Sequence, residues 1–256
     1  MNFTTLLVSD IPHGIRITLN RLEQRNSINT TLLTELNQVL DAADKNPDWC
    51  IIVLSGQSGI FCTGMDFSEV SHSASYQTDD LISASSYMNT LKRFATMSKV
   101  IVAEVDGQVM AGGVGLVAAS DIVIATTRSH FTLSEALWGL LPANVLPYLI
   151  RRVGFQKAYW MTLTTQTLSA TDAHAIHLVD ELSDQADVLR KLIMRLARLD
   201  EQTITDMKKY FQKLWFINET MEQVAISELE RLMAEPRVRH NITRFMQEGK
   251  FPWEKV

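Results

Sequence analysis

The chain has 256 residues, enough for one large domain or one domain with a small appendage, and its 46% hydrophobic content supplies an ordinary core. Its formal net charge of −5 argues against a general nucleic-acid binder, which would be basic. Cys50 and Cys62 make neither a disulfide framework nor a zinc set, the amino end "MNFTTLLVSDIP" has no basic start, and the apolar runs are too short to span a bilayer. The expectation is a cytoplasmic protein without membrane contact, metal or cofactor.

In chain order, "TLLVSD" (5–10) and "GIRITLN" (14–20) flank a turn at Pro12-His13-Gly14 and read as a strand pair. Residues 30–45 place Leu32, Leu33, Leu36, Val39, Leu40 and Ala43 on one helical face, with Asn29 as N-cap. "CIIVLSG" (50–56), "VIVAEVDG" (100–107) and "DIVIAT" (121–126) are continuous apolar runs, expected to be strands buried on both faces. Between the first two, the Ser/Thr-rich stretch 71–86 reads as a loop leading into a helix over 87–97. Ser169 and Asp172 resemble a capping box, "LVDEL" (178–182) reads as a last strand, and residues from 186 are helical, punctuated by Pro236. An α/β core over 1–185 with a helical region over 186–256 follows.

"MAGGVGLVAASD" (110–121) carries three glycines after a strand. Gly113-Val114-Gly115-Leu116-Val117-Ala118 formally matches a dinucleotide fingerprint, with Glu135 near the required distance. Against that, the fingerprint uses the first strand of its domain, and Glu135 does not end a second strand. Small residues here also let a helix pack closely on a sheet. A second glycine-bearing turn, "FCTGMDF" (61–67), follows another apolar run, and two such turns can aim two free helix-start amides at one oxyanion.

"NRLEQRNSIN" (20–29), "FCTGMDF", "VMAGGVGLVAASDIVIA" (109–125) and "FTLSEALWGLLP" (131–142) resemble the successive signatures of the crotonase, or enoyl-CoA hydratase/isomerase, superfamily. The resemblance implies a ββα spiral core with a helical carboxy-terminal trimerisation region, hence a homotrimer or hexamer. It also implies an oxyanion hole built from the amides of Met65 and Gly112. Hydratases of this kind use two glutamates; here Gly115 stands at the first position, which is expected to leave room near the β-carbon for a methyl branch, and Glu135 at the second.

"LSEALWGLLPANVLPYLIRRVGFQKAYWMTL" and "GKFPWE" are further similar to the polyketide-biosynthesis hydratases of β-branching cassettes, which dehydrate hydroxymethylglutaryl on an acyl carrier protein. The superfamily pattern is broken where Leu22 replaces a proline, Ala111 a glycine, and Ala143-Asn144-Val145-Leu146 a glycine-rich turn. By this resemblance Glu135 is the acid/base, and the thioester, on CoA or an acyl carrier protein, lies among Arg25, Cys62, Gly64, Asp66, Ala111, Gly115 and Asn144. Asn144 is a candidate for the substrate hydroxyl or carboxylate, and Arg25 for a pantetheine-linked phosphate. Cys62 reads as a small buried thiol with no base beside it. His72, Tyr76 and Tyr87, in or beside the serine-rich segment, are candidates for the distal carboxylate of a glutaryl chain but read better as exposed loop residues, and His174 and His177 read as structural. Arg151–Arg152 is the leading candidate for a basic carrier-docking patch. An isomerase, a decarboxylase of the same superfamily, and a non-catalytic acyl-carrier-binding protein are the alternatives.

Overall fold

Alternate residues of the central strands enter two different cores. The computed structural model describes residues 3–68, 84–185, 187–215 and 219–254. The amino-terminal pair forms as expected: β1 (Leu6–Ile11) runs antiparallel to β2 (Gly14–Leu19). Asn29 caps α1 (Thr30–Lys45), its side-chain oxygen accepting from the Leu32 amide at 2.9 Å, and the six apolar residues of the expected face are buried.

From there the chain repeats one path three times. A strand enters a large sheet, a three-residue strand enters a small sheet, and a helix returns. The turns of this spiral are β3 (Ile51–Ser55), β4 (Ile60–Cys62) and α2 (Ala84–Thr96); then β5 (Val100–Val105), β6 (Gln108–Met110) and α3 (Gly112–Ala119); then β7 (Ile122–Ala125), β8 (His130–Thr132) and α4 (Glu135–Trp138). Two further helices follow, α5 (Leu146–Val153) and α6 (Phe155–Thr164). After them come β9 (Leu168–Ser169), α7 (Ala170–Ala175) and β10 (Glu181–Leu182). The large sheet has the order β1-β2-β3-β5-β7-β10 and the small one β4-β6-β8-β9.

Side chains of a strand alternate between faces. Ile52, Leu54, Ile101 and Ala103 therefore join the core that holds α1, α2 and α3, while Ile51, Val53, Val100 and Val102 join a second one with Leu189, Ile193 and Ile204. Those last three come from α8 (Asp187–Leu196) and α9 (Glu201–Leu214), so the helical carboxy end roofs the second face of the sheet. α10 (Glu219–Ala234) and α11 (Pro236–Glu248) complete the chain, with Pro236 in the first turn of α11.

Several expectations need adjustment. The helix expected at 87–97 begins at Ala84, and His72 and Tyr76 lie outside the described residues. Of "LVDEL", Glu181 and Leu182 alone pair as strand. Ser169 does cap α7 through the Asp172 amide at 3.1 Å, but the reciprocal contact is its own hydroxyl donating to the Asp172 carboxylate at 2.6 Å.

Candidate active site

Three neighbouring strands of the small sheet, β4, β6 and β8, run parallel and end on the same side. Met65 follows the end of β4 by three residues, Gly112 that of β6 by two, and Glu135 that of β8 by three. Ligands collect at the carboxyl ends of parallel strands because the chain there is free of ladder bonds and helices begin.

The two turns touch through glycine. Gly64 has φ +87°, and a Cβ placed on it would lie 2.6 Å from the Ala111 Cβ and 3.2 Å from the Gly112 nitrogen. Only a residue without a side chain permits both the conformation and the approach. Beside it, Met65 forms a parallel bridge to Ile28, in which the Ile28 amide donates to the Gly64 carbonyl at 2.7 Å and the Asp66 amide to the Ile28 carbonyl at 2.9 Å. Alternation along the strand turns the intervening Met65 N–H the other way. Gly112 opens α3, so its N–H has no acceptor within the helix. Among the described residues no acceptor takes up either N–H. Ala111, which sets the direction of the second amide, holds φ 48° and ψ −121°, a conformation that side chains disfavour.

Glu135 is the first residue of α4. Its carboxyl is buried, and Oε2 has no hydrogen-bond partner among the described residues. Burial pushes its pKa up to about 7, against the opposing pull of the Glu135 and Ser134 backbone amides. Such a group sits near even protonation at neutral pH, as an acid/base needs. The short helix is braced from below: the Trp138 ring meets Phe67, Phe245 and Phe251 at 5.1, 5.0 and 6.0 Å, and Asn241 donates to the Trp138 carbonyl at 3.2 Å.

Gly115 leaves no vacant slot. A Cβ on it would collide with the hydroxyl oxygen of Tyr87 and lie 3.0 Å from Val145 Cγ2. Tyr87, expected to be exposed, is buried on α2 at 7% exposure, and its hydroxyl donates to the Gly112 carbonyl. The spacing Tyr87, Leu91, Phe94 was the signal that could have placed it inward. Next to Val145, Asn144 is fully buried; its amide nitrogen donates to the Ala84 carbonyl at 2.6 Å, which fixes the amide's orientation, and its Oδ1 is unpartnered among the described residues.

Other sequence candidates take supporting places. Cys62 is fully buried, its thiol pushed up to about 12 by desolvation, and its carbonyl lies 2.5 Å from where a Gly113 Cβ would be. It is packing beneath α3. The Asp66 carboxylate is taken up by Arg21 at 2.8 Å and by the Ser68 amide and hydroxyl at 3.0 and 2.6 Å. Burial alone would raise its pKa, but these donors outweigh it and hold the carboxyl below its ordinary value. Asp66 and Arg21, a residue the sequence reading passed over, therefore pin the Met65 turn. Arg25 is exposed, with φ 53°, and its guanidinium donates to Gln108.

Arg151 and Arg152, the expected docking pair, are engaged within the fold. Arg151 donates to the Ala118 carbonyl at 2.8 Å; Arg152 donates to the Ser120 carbonyl at 2.8 Å and pairs with Asp180 at 2.9 Å. Cations here satisfy the orphan carbonyls at the end of α3 and complement its dipole. A cavity of about 710 Å³ nearby is lined by Asp121, Lys208, Phe211 and Trp215 as well as both arginines. Its Lys208 already binds Asp121 at 2.7 Å and the Lys99 carbonyl at 2.7 Å.

Residues 12–256 match the sequence family described as Enoyl-CoA hydratase/isomerase, and the chain belongs to that family. It is 36% identical over 239 residues to bacillaene synthase dehydratase PksH of Bacillus subtilis, covering 93% of this chain and 92% of that one. It is 28% identical over 192 residues to enoyl-CoA hydratase EchA19 of Mycobacterium tuberculosis, covering 73% and 71%. A crystal structure of a polyketide biosynthesis enoyl-CoA hydratase from Bacillus subtilis superposes with a TM-score of 0.92 at 34% identity, covering 98% of this chain and all of that one. The fold is the crotonase ββα spiral.

Proposed function

We propose that this protein is a hydro-lyase that dehydrates hydroxymethylglutaryl on an acyl carrier protein to methylglutaconyl in polyketide β-branching. The observation that carries the reading is that two free backbone amides and one buried carboxyl follow the ends of three neighbouring parallel strands, while the position of a second carboxyl is glycine. The likeness to a bacillaene synthase dehydratase over more than nine-tenths of both chains supports the same class of substrate.

In this reading the thioester carbonyl accepts hydrogen bonds from the Met65 and Gly112 amides, and Glu135 removes the α-proton. The resulting enolate oxygen carries charge that the preorganised amides stabilise without reorganising. Collapse of the enolate breaks the Cβ–O bond, and the protonated Glu135 returns its proton to the departing hydroxyl, which leaves as water. One carboxyl is base and then acid. Asn144 Oδ1, an acceptor whose companion nitrogen is already engaged, suits a hydroxyl donor on the substrate better than a second carboxylate. Arg25 serves the pantetheine phosphate at the rim, Gly64 and Ala111 shape the wall, and Asp66 and Cys62 support it from behind.

We further propose a cytoplasmic homotrimer or hexamer, with residues 1–185 as the catalytic core and 186–256 as the assembly region. Exposed Tyr210, Phe211 and Leu214 on α9 supply apolar surface in that region, and exposed Phe155, Tyr159 and Leu163 on α6 supply more on the core. Purified protein incubated with hydroxymethylglutaryl-carrier protein should yield a product lighter by one water, read by intact mass. Loss of carbon dioxide would make it a decarboxylase; an unchanged mass would leave a binding module.

A further inference from the structure

We infer that Tyr87 is the hydrogen-bond partner of the substrate's β-oxygen, its hydroxyl standing where a side chain at position 115 would reach the β-carbon. The inference rests on the dehydration reading above. Three observations place the hydroxyl. It is the atom that a Cβ on Gly115 would strike, with the ring carbon behind it at 3.3 Å. It lies 3.4 Å from where a Cβ on Gly112 would be, and so against the residue whose amide is assigned to the oxyanion. It donates to the Gly112 carbonyl, and Val145 Cγ2 is the other side-chain atom that meets the same Gly115 position.

Burial, together with the thiol of Cys62 and the carboxyl of Glu135, holds the Tyr87 pKa well above its ordinary value. The hydroxyl therefore stays protonated at every working pH. In the ground state, with the β-hydroxyl donating to Asn144 Oδ1, it keeps its own bond to the Gly112 carbonyl. As the Cβ–O bond breaks, its proton can swing from the Gly112 carbonyl to the departing oxygen. No proton is transferred in that exchange; Glu135 supplies the one that makes water. A neutral donor at this place spares the site a second negative charge, which a dicarboxylic acyl chain would oppose. It also stands on a rigid ring, so its oxygen needs little ordering.

The test separates the two half-steps. With hydroxymethylglutaryl-CoA in heavy water, Tyr87→Phe should exchange the α-proton within about 3-fold of the wild-type rate, because Glu135 and both amides remain. Water loss should fall by about 10- to 100-fold, the loss expected for one hydrogen bond to developing charge. Parallel falls in exchange and water loss would show that Tyr87 merely steadies the start of α3, and would overturn the inference. Wild-type water loss and exchange both absent would overturn the dehydration reading along with it. The placement is checked without turnover: Gly115→Ala should lower Tm, and in the Tyr87→Phe background most of that loss should vanish because the colliding oxygen is gone. Additive losses would mean that the hydroxyl does not occupy that direction.

Discussion

The guanidinium of Arg151 lies over the Trp215 indole, 4.6 Å from the ring centroid, while its Nη2 donates to the Ala118 carbonyl. One side chain thus ties the far end of the glycine-run helix to the end of α9. Its neighbour Arg152 binds the Ser120 and Asp121 carbonyls and Asp180, with only 7% of its side chain exposed. Arg152→Ala leaves those carbonyls and a carboxylate without their donor and should lower stability by about 2–3 kcal/mol. Turnover of carrier-linked and CoA-linked substrate should fall in parallel. Urea unfolding alongside both rates checks this; unchanged stability with a loss confined to the carrier-linked substrate would restore the pair to a docking role.

Glu135→Gln removes the proton acceptor while keeping shape, so turnover should fall at least about 10²-fold with thioester binding retained. For the native enzyme, kcat/KM should rise with pH through about 7, as the carboxyl becomes a base. A flat profile across that range would remove Glu135 from the proton transfer.

The same carboxyl carries a stability signature. Its folded pKa is raised above the unfolded value, so the unfolded chain loses the proton first and folding stability declines as pH rises from about 4.5 through about 7. Glu135→Gln, which cannot ionise, should therefore be more stable than the native protein by about 1–3 kcal/mol above pH 7 and indistinguishable from it near pH 4. Denaturant midpoints at the two pH values decide this.

Ala111 holds φ 48° where a glycine would be unstrained. Relief of about 1–3 kcal/mol of strain, less about 0.5–1 kcal/mol for the added freedom of glycine in the unfolded chain, makes Ala111→Gly stabilising by about 1 kcal/mol. Thermal unfolding measures it. A lower Tm would show that the methyl group's contact with Gly64 outweighs the strain.

Unbranched enoyl thioesters should be poor substrates. Position 115 carries no carboxylate to activate water, and Tyr87 blocks the space in which one would sit. Crotonyl-CoA hydration by the native protein should be at least about 10²-fold slower than its dehydration of the branched substrate. Comparable rates would contradict a one-carboxylate site.

The centre of the large sheet was readable because β3, β5 and β7 are continuous apolar runs, and α1 because six apolar residues recur at helical spacing behind an Asn cap. The small sheet was not. Three residues, as in Ile60–Cys62 or Gln108–Met110, are too few for any alternation, yet these strands carry the site. Resemblance singled out Met65, Gly112 and Glu135 in spite of this, since it follows motif order and needs no secondary structure. It also left room beside Gly115 for a methyl branch, and there the structure puts Tyr87, from a helix 28 residues earlier in the chain. Such a contact depends on which helix packs against which. No local pattern records it. Arg151 and Arg152 misled for the opposite reason: charge on a helix face reads as surface until the carbonyls it caps are seen.

Because β4, β6 and β8 are hydrogen-bonded neighbours, the three functional positions are spaced by a ruler whose divisions are the roughly 4.8 Å between adjacent strands. The gap between the proposed oxyanion amides and the carboxyl is thus written in backbone ladder bonds, which no side-chain replacement rewrites. Exchange of one residue at one strand end alters what stands at a mark and leaves the marks where they are. A catalytic repertoire can diversify on such a scaffold by single substitutions, each trying a new chemical group at an inherited distance.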